Sequence, residues 1–447
     1  MYRIELAPNV EEKMLKNNFW TDTLENKKLL TAKKIKKINQ DLFFKAEAEN
    51  KEAYYCDLQK FVQVLDKNKI NSMIKNTYNK KINNEQNYFN LNGELISSDR
   101  RKTIKVNCGL DLKKKDTLKY GVLCRRSNIR ALPTELTFAL EQESGDQDLL
   151  QLTALACGRA AVILAESRDQ KWYYIQSKLM RGWVKKSNLA LTDNLKKALF
   201  YLNSESFLVV SGSRVETEPC PFNSKISRRF FQMGDKIPLV EEKETVENIP
   251  QNHAHAQSKL GNYLVWLPTK DSNNNLKYKK ALISTANDLQ EGYLDFKREI
   301  IIKQAFKMLG ERYDWGGKYK RRDCSRFVMD IYRTFGIELP RNADLQKKLT
   351  PFIKYTFRGD FKKRKTLLKK LEAGDILHMP GHIMLYLGEY QNKNYLIHAA
   401  SGYGELDEHS NFESKSIRSV FIMELEQLLK DGENTYLEKL TSASKIK

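Results

Sequence analysis

Twice along the chain the hydrophobic period changes, and this double switch constrains the fold more than any single motif. From residue 17 to about 121 the sequence is polar and rich in Lys and Asn, with apolar residues at helical spacing over 29–44 and 54–74, which predicts amphipathic helices. From 122 to 191 the texture becomes short apolar runs at 160–164, 172–176 and 182–184, separated by polar turns such as 167–170. That pattern predicts a small β-barrel. A second β-rich stretch runs from 207 to about 284, with candidate strands at 207–210, 237–240 and 263–267 broken by Gly, Pro and Asn. Two tandem barrels fit this spacing better than one large sheet. From 292 onward the pattern returns to helix, loop, helix and then a hairpin. The expected fold class is therefore multidomain α+β: an N-terminal helical segment over 1–121, β-barrels over 122–195 and 196–290, and an α+β domain over 291–447.

Size and composition agree with that division. The 447 residues make about three average domains, and a hydrophobic share of 41% can build several cores, which excludes a disordered chain. The longest apolar runs, 300–302 and 383–387, fall far short of the roughly 20 residues that cross a bilayer, so no transmembrane segment is expected. Lys and Arg outnumber Asp and Glu by 77 to 56, a net charge of +21. Such a surface attracts anionic polymers, and nucleic acid, anionic lipid and acidic wall polymer all qualify. Lys-rich runs such as 33–37 and 362–365 are equally read as solvated faces. No nucleic-acid recognition motif is legible, so no such partner is expected.

The six cysteines, at 56, 108, 124, 157, 220 and 324, form no CxxC pair and no regular spacing, which reads as buried thiols rather than a disulfide framework. His253 and His255 lie in a polar stretch within the second β-rich segment, where a solvated loop outweighs a metal site because no other ligand type is spaced nearby. The first eight residues lack the apolar region of a secretory leader. The expected location is the cytoplasm, or the cell envelope if a leader has been removed.

The chemistry-bearing residues fall near the C-terminus. Residues 300–309 have helical spacing and end at Gly310, and a second helix is expected over 324–335, closed by Gly336. Cys324 starts that helix, where free backbone amides and aligned dipoles favour a thiolate; a free thiol near 8.5 can fall to about 3.5–7.5 in such a setting. A base is the second requirement. His382 follows Gly381 at the start of one hairpin strand, and His398 lies on the returning strand. A turn centred near Tyr390 sets 382 opposite 398, with Cβ atoms about 4.5–5.5 Å apart. One imidazole would then take the thiol proton while the other orients it. Zinc held by Cys324, His382, His398 and His378 is the rival reading, since all four are competent ligands.

Six further stretches carry a family resemblance: Tyr313-Asp314-Trp315-Gly316-Gly317, Asp323-Cys324-Ser325-Arg326-Phe327, Phe335-Gly336-Ile337-Glu338-Leu339-Pro340-Arg341-Asn342, Gly374-Asp375-Ile376-Leu377, Gly381-His382-Ile383 and Ile397-His398-Ala399. In order and spacing they resemble the NlpC-type papain-like cysteine peptidases of bacterial cell walls. Upstream, Ala131-Leu132-Pro133-Thr134, residues 167–172 and Gly182-Trp183-Val184 are similar to the first of two bacterial SH3-like domains in a multidomain subgroup. The resemblance implies a papain-like catalytic domain behind tandem SH3-like barrels, and hydrolysis of the γ-D-glutamyl bond to meso-diaminopimelate or L-lysine in peptidoglycan stem peptides.

It further implies Cys324 as nucleophile, His382 as general base, His398 as orienting residue and Tyr313 as oxyanion support. Asp323 and Ser325 would hold the free α-amine of a terminal L-Ala, a pairing of carboxylate with cation that selects shortened stems. Trp315 would wall the cleft. No metal or cofactor is expected, the partners are stem peptides or murein fragments, and the protein is expected to be a monomer. Two positions depart from the family pattern: Arg326 replaces a common Gly, and Ala343 a common Ser. Arg326 is accordingly a candidate to meet substrate carboxylates. Two other classes stay open: a wall-binding protein whose barrels do the work, and an amidase or acyltransferase acting on another substrate.

Overall fold

The computed structural model describes residues 6–49, 51, 53–83, 85–111, 119–142, 147–241 and 260–446. His253 and His255 lie outside them. The chain forms two compact units, one of Met1–Lys45, Leu294–Asp314 and Tyr319–Lys447, the other of Ala46–Tyr293 and Trp315–Lys318.

The first unit is built on a six-stranded antiparallel sheet. Its order is Ile353–Thr356, Ser442–Lys445, Ile376–Met379, His382–Tyr390, Lys393–Leu406 and Phe412–Glu424. Helix Cys324–Arg333 packs on it with all ten residues buried. The Asp323 side chain accepts from the Arg326 amide at 2.9 Å and caps the helix, and Gly336 follows its end at φ 81°. Phe327, Val328, Ile331 and Tyr332 supply the apolar contact, while the polar side of the helix is buried as ion pairs. Asp330, fully buried, meets Arg322 Nε at 2.9 Å, Arg326 Nε at 2.7 Å and Arg333 Nη1 at 3.5 Å.

Residues 6–45 differ from the expected 1–121 domain, because they belong to this first unit. Their polar contacts explain why. The Tyr395 hydroxyl donates to the Asn9 carbonyl at 2.8 Å, the Leu29 amide to the Phe296 carbonyl at 2.9 Å, and the Asn39 side chain to the Gly336 carbonyl at 2.8 Å. Local helical spacing carries no information about which partner a segment wraps.

In the second unit, one expected helix over 54–74 is two, Leu58–Val64 and Ile70–Lys81. Extended Leu65 ends the first, and Asp66 caps a short 3-10 turn between them. The first β segment is a seven-stranded antiparallel sheet in the order Gln151–Leu155, Ser127–Arg130, Arg181–Lys185, Trp172–Ser177, Ala160–Glu166, Lys119–Leu123 and Leu189–Thr192. Trp183, Tyr174 and Trp172 fill its core. The second β segment consists of three small sheets of two, three and two strands around one apolar cluster that includes Leu208, Phe231, Ile237 and Val265.

Trp315–Lys318 is held within this second unit. Gln151 Nε2 donates to the Gly316 carbonyl at 3.1 Å, and Lys318 reaches Asp148 at 2.9 Å and Thr137 at 2.7 Å. Gly316 has φ 61°, and a Cβ there would lie 2.6 Å from Gln151 Cγ, so only glycine fits.

Candidate active site

Cys324 stands in the first turn of its helix, 8% exposed. Its sulfur accepts from the backbone amides of Ser325 and of Ile383, and Ile383 directly follows His382 in strand His382–Tyr390. His382 Nε2 lies 2.8 Å from His398 Nδ1. The geometry thus brings the sulfur beside the start of the histidine strand and joins the two imidazoles.

The hairpin achieves this by a route the sequence did not reveal. Tyr390 pairs with Lys393 across a two-residue turn, Gln391-Asn392, both at positive φ. The ladder continues with Gly388 opposite Tyr395, then shifts at a β-bulge, so that Tyr386 faces Leu396 and Leu385 faces Ile397. Carried on, that register sets Met384 opposite His398, with His382 two residues away on the same face. The rings meet on the diagonal rather than directly, within the reach of aromatic side chains. Without the extra residue, Leu387, this turn would set Leu385 opposite His398 and send that ring to the other face of the sheet.

Electrostatics also differ from expectation. Burial, with the Asp323 charge next, pushes the Cys324 thiol up to about 12, against the lowering by the Ile383 amide and Arg341. Burial, then Lys430, pulls His382 down to about 3 while Asp323 opposes them, and burial holds His398 well below the usual imidazole range. The helix start was expected to favour a thiolate; loss of water outweighs it. Burial thus biases the Cys324 thiol and the His382 imidazole each towards its neutral form.

Asp323 and Ser325 form one buried network with Arg341, which the sequence reading did not single out. Arg341 Nη2 meets Asp323 Oδ2 at 2.6 Å, its Nη1 meets Asp323 Oδ1 at 3.1 Å and Ser325 Oγ at 2.8 Å, and Ser325 Oγ lies 3.2 Å from Asp323 Oδ1. Arg341 stands 18 positions from Asp323, so no helical or strand period links them. Arg326 departs from the expected substrate contact: it is 3% exposed and ion-paired with Asp330, one turn along the same helix. The Tyr313 amide donates to the Arg418 carbonyl at 2.8 Å. Trp315, 36% exposed, belongs to the segment grouped with the other unit. His378 is buried with Nε2 2.9 Å from Ser444 Oγ, and its strand neighbour Met379, not His378, pairs with His382. His378 therefore points to the opposite face from His382, and among the described residues no three His, Cys, Asp or Glu side chains group as metal ligands.

Residues 310–422 match the NlpC/P60 family. The C-terminal part of this chain is an NlpC/P60 domain. Upstream, residues 136–185 match the SH3 domain of SH3b1 type. A dipeptidyl-peptidase 6 of Lysinibacillus sphaericus is 27% identical over 114 residues, which cover 25% of this chain and 36% of that relative's length. The chain thus spans about a third of the curated relative it matches. An NlpC/P60 endopeptidase structure from Photobacterium damselae subsp. piscicida aligns over 96% of both chains with a TM-score of 0.72 at 16% identity, a likeness of fold. An NlpC/P60 family protein of Bacillus cereus covers 73% of this chain and 99% of its own at 17% identity, with a TM-score of 0.47. The fold of the NlpC/P60 domain, with helices and an SH3b-type domain before it, agrees with the fold class read from the sequence.

Proposed function

We propose that the protein is a cysteine peptidase that hydrolyses the γ-D-glutamyl bond to the diamino acid of peptidoglycan stem peptides. The observation that carries this reading is the 2.8 Å contact between His382 Nε2 and His398 Nδ1, next to the residue whose amide meets the Cys324 sulfur. That contact leaves His382 Nδ1 as the ring nitrogen for the thiol. For Nδ1 to accept a proton, neutral His382 carries its hydrogen on Nε2 and donates it to His398 Nδ1. His398 then carries its own hydrogen on buried Nε2, beside the Phe421 ring at a centroid distance of 4.6 Å.

In the reaction, Sγ attacks the γ-glutamyl carbonyl as its proton passes to His382 Nδ1. The imidazolium so formed keeps its Nε2–H on His398 and then protonates the departing amine of the diamino acid. Water, deprotonated by the same nitrogen, hydrolyses the thioester and regenerates the thiol. Because thiol and imidazole start neutral, proton transfer accompanies attack instead of preceding it. Tyr313 is assigned to the oxyanion, a contribution worth about 3 kcal/mol in comparable sites. Asp323, oriented by Arg341, is assigned to the α-amine of a terminal L-Ala, which selects free stems over N-substituted ones.

The SH3b1-type domain supports a bacterial cell-wall setting, and no helix among the described residues is long and apolar enough to cross a membrane. The test is digestion of L-Ala-γ-D-Glu-meso-diaminopimelate, its N-acetyl derivative and intact sacculi, read by mass spectrometry. Cleavage of the free tripeptide over the acetylated one is expected; equal cleavage of both removes the Asp323 assignment.

A further inference from the structure

Asp323 and Ser325 stand at the start of the nucleophile helix, whereas Arg341, which holds both, comes from the chain beyond that helix. A second bridge joins the same two segments. Gln346, 2% exposed in the short helix Ala343–Lys348, donates from Nε2 to the Ser325 carbonyl at 2.9 Å and to the Pro340 carbonyl at 2.8 Å. We propose that Gln346 is a positioning residue for substrate selection: by tying Ser325 to Pro340 it fixes Arg341 against Asp323, and so sets the α-amine site relative to the nucleophile. The inference rests on the peptidase reading above and on its assignment of Asp323 to the substrate amine.

The two acceptors matter by position. Ser325 directly follows the nucleophile, and Pro340 directly precedes Arg341. A primary amide carries two hydrogens on its nitrogen, and the two carbonyls take one each. The same contacts fix which way the amide faces, since turning it over would set its oxygen against two carbonyl oxygens. Gln346 is itself anchored to the turn it braces. The Asn342 carbonyl accepts from the Gln346 amide at 3.0 Å, and the Asn342 side chain caps the helix by accepting from the Leu345 amide at 2.9 Å. Among the described residues, Gln346 Oε1 is buried without a hydrogen-bond partner. Burying a bare carbonyl oxygen is unfavourable, so packing alone would suit an apolar side chain of similar size better. The glutamine is explained by its two donors. Arg341 in turn makes three contacts at once, of 2.6 and 3.1 Å to Asp323 and 2.8 Å to Ser325. That fork needs its backbone held in one place. Without the bridge the guanidinium can tilt, and the Asp323 carboxylate turns with it, while the thiol and the two imidazoles keep their own contacts.

The test compares L-Ala-γ-D-Glu-meso-diaminopimelate with its N-acetyl derivative, using the full chain and its Gln346→Met, Gln346→Glu and Leu345→Ala variants. Gln346→Met keeps the volume and removes both donors. It is expected to raise KM for the free tripeptide roughly tenfold, as for a weakened hydrogen bond to a charged group, with kcat within about twofold. The kcat/KM of the acetylated peptide, or its Ki as a competitor, is expected to move less than about twofold, so preference for the free amine falls about tenfold. Gln346→Glu, which cannot donate to both carbonyls, is expected to shift preference the same way and keeps the test open if Gln346→Met does not fold. Leu345→Ala, a packing change on the same helix, is expected to lower Tm and leave the preference as in wild type. Equal losses on both peptides in the Gln346 variants, an unchanged KM for the free one, or the same loss of preference in Leu345→Ala overturn the assignment while the peptidase reading stands. A wild-type chain that cleaves both peptides equally removes the Asp323 assignment and this inference with it, and one that cleaves neither removes the peptidase reading as well.

Discussion

The charge state of Cys324 is a sharp point of test, because burial and helix position push it in opposite directions. With the thiol pushed up to about 12, the thiolate at pH 8 amounts to roughly one part in ten thousand. A free cysteine near 8.5 is about one quarter thiolate at that pH. Since the thiolate is the reacting form, alkylation of Cys324 by iodoacetamide at pH 8 should run roughly three orders of magnitude slower than that of a free thiol. The assay is the pH dependence of alkylation of the Cys324 peptide, followed by mass spectrometry, which separates it from half-buried Cys220. The rate should rise through pH 10 without levelling. A plateau with a midpoint below pH 7, lost in His382→Ala, would mean a thiolate–imidazolium pair at rest and would refute the argument that desolvation wins.

Other outcomes follow from neighbouring contacts. His398→Ala removes the partner 2.8 Å from the base and should lower kcat about a hundredfold with KM within twofold, read by steady-state kinetics. Asp330→Ala leaves three buried guanidiniums without their shared carboxylate and should cost about 3–5 kcal/mol, seen as a fall in Tm. His378, buried and pulled down to about 3, binds its proton more readily in the unfolded chain. Its contribution to stability is therefore present above about pH 6.5 and lost as pH falls towards 3, so His378→Gln should flatten denaturant midpoints across that window.

Much of this was legible in residue patterns, and the exceptions have physical causes. Strand 207–210 and the Cys324 helix were readable because a short apolar run bounded by turn residues and a closing glycine are local signals. The histidine pair was readable as sharing a face, but its register was not. A bulge at Leu387 leaves no mark in hydrophobic alternation, and the two-residue turn at Gln391-Asn392 lies away from the centre that direct opposition demands. The Asp323–Arg341 pair was hidden because tertiary approach, not spacing, joins it. Arg326 was misread for a related reason. Its Asp330 partner lies one turn along the helix, but only the structure shows that face to be buried. Likewise, the raised thiol depends on how completely the sulfur is desolvated, a quantity set by packing of the whole sheet.

The most direct measurement is incubation of wild type and Cys324→Ala with L-Ala-γ-D-Glu-meso-diaminopimelate, with products identified by mass spectrometry. The account predicts release of free diaminopimelate and L-Ala-D-Glu by wild type alone. An intact tripeptide after prolonged digestion with wild type, or equal release by Cys324→Ala, would contradict it.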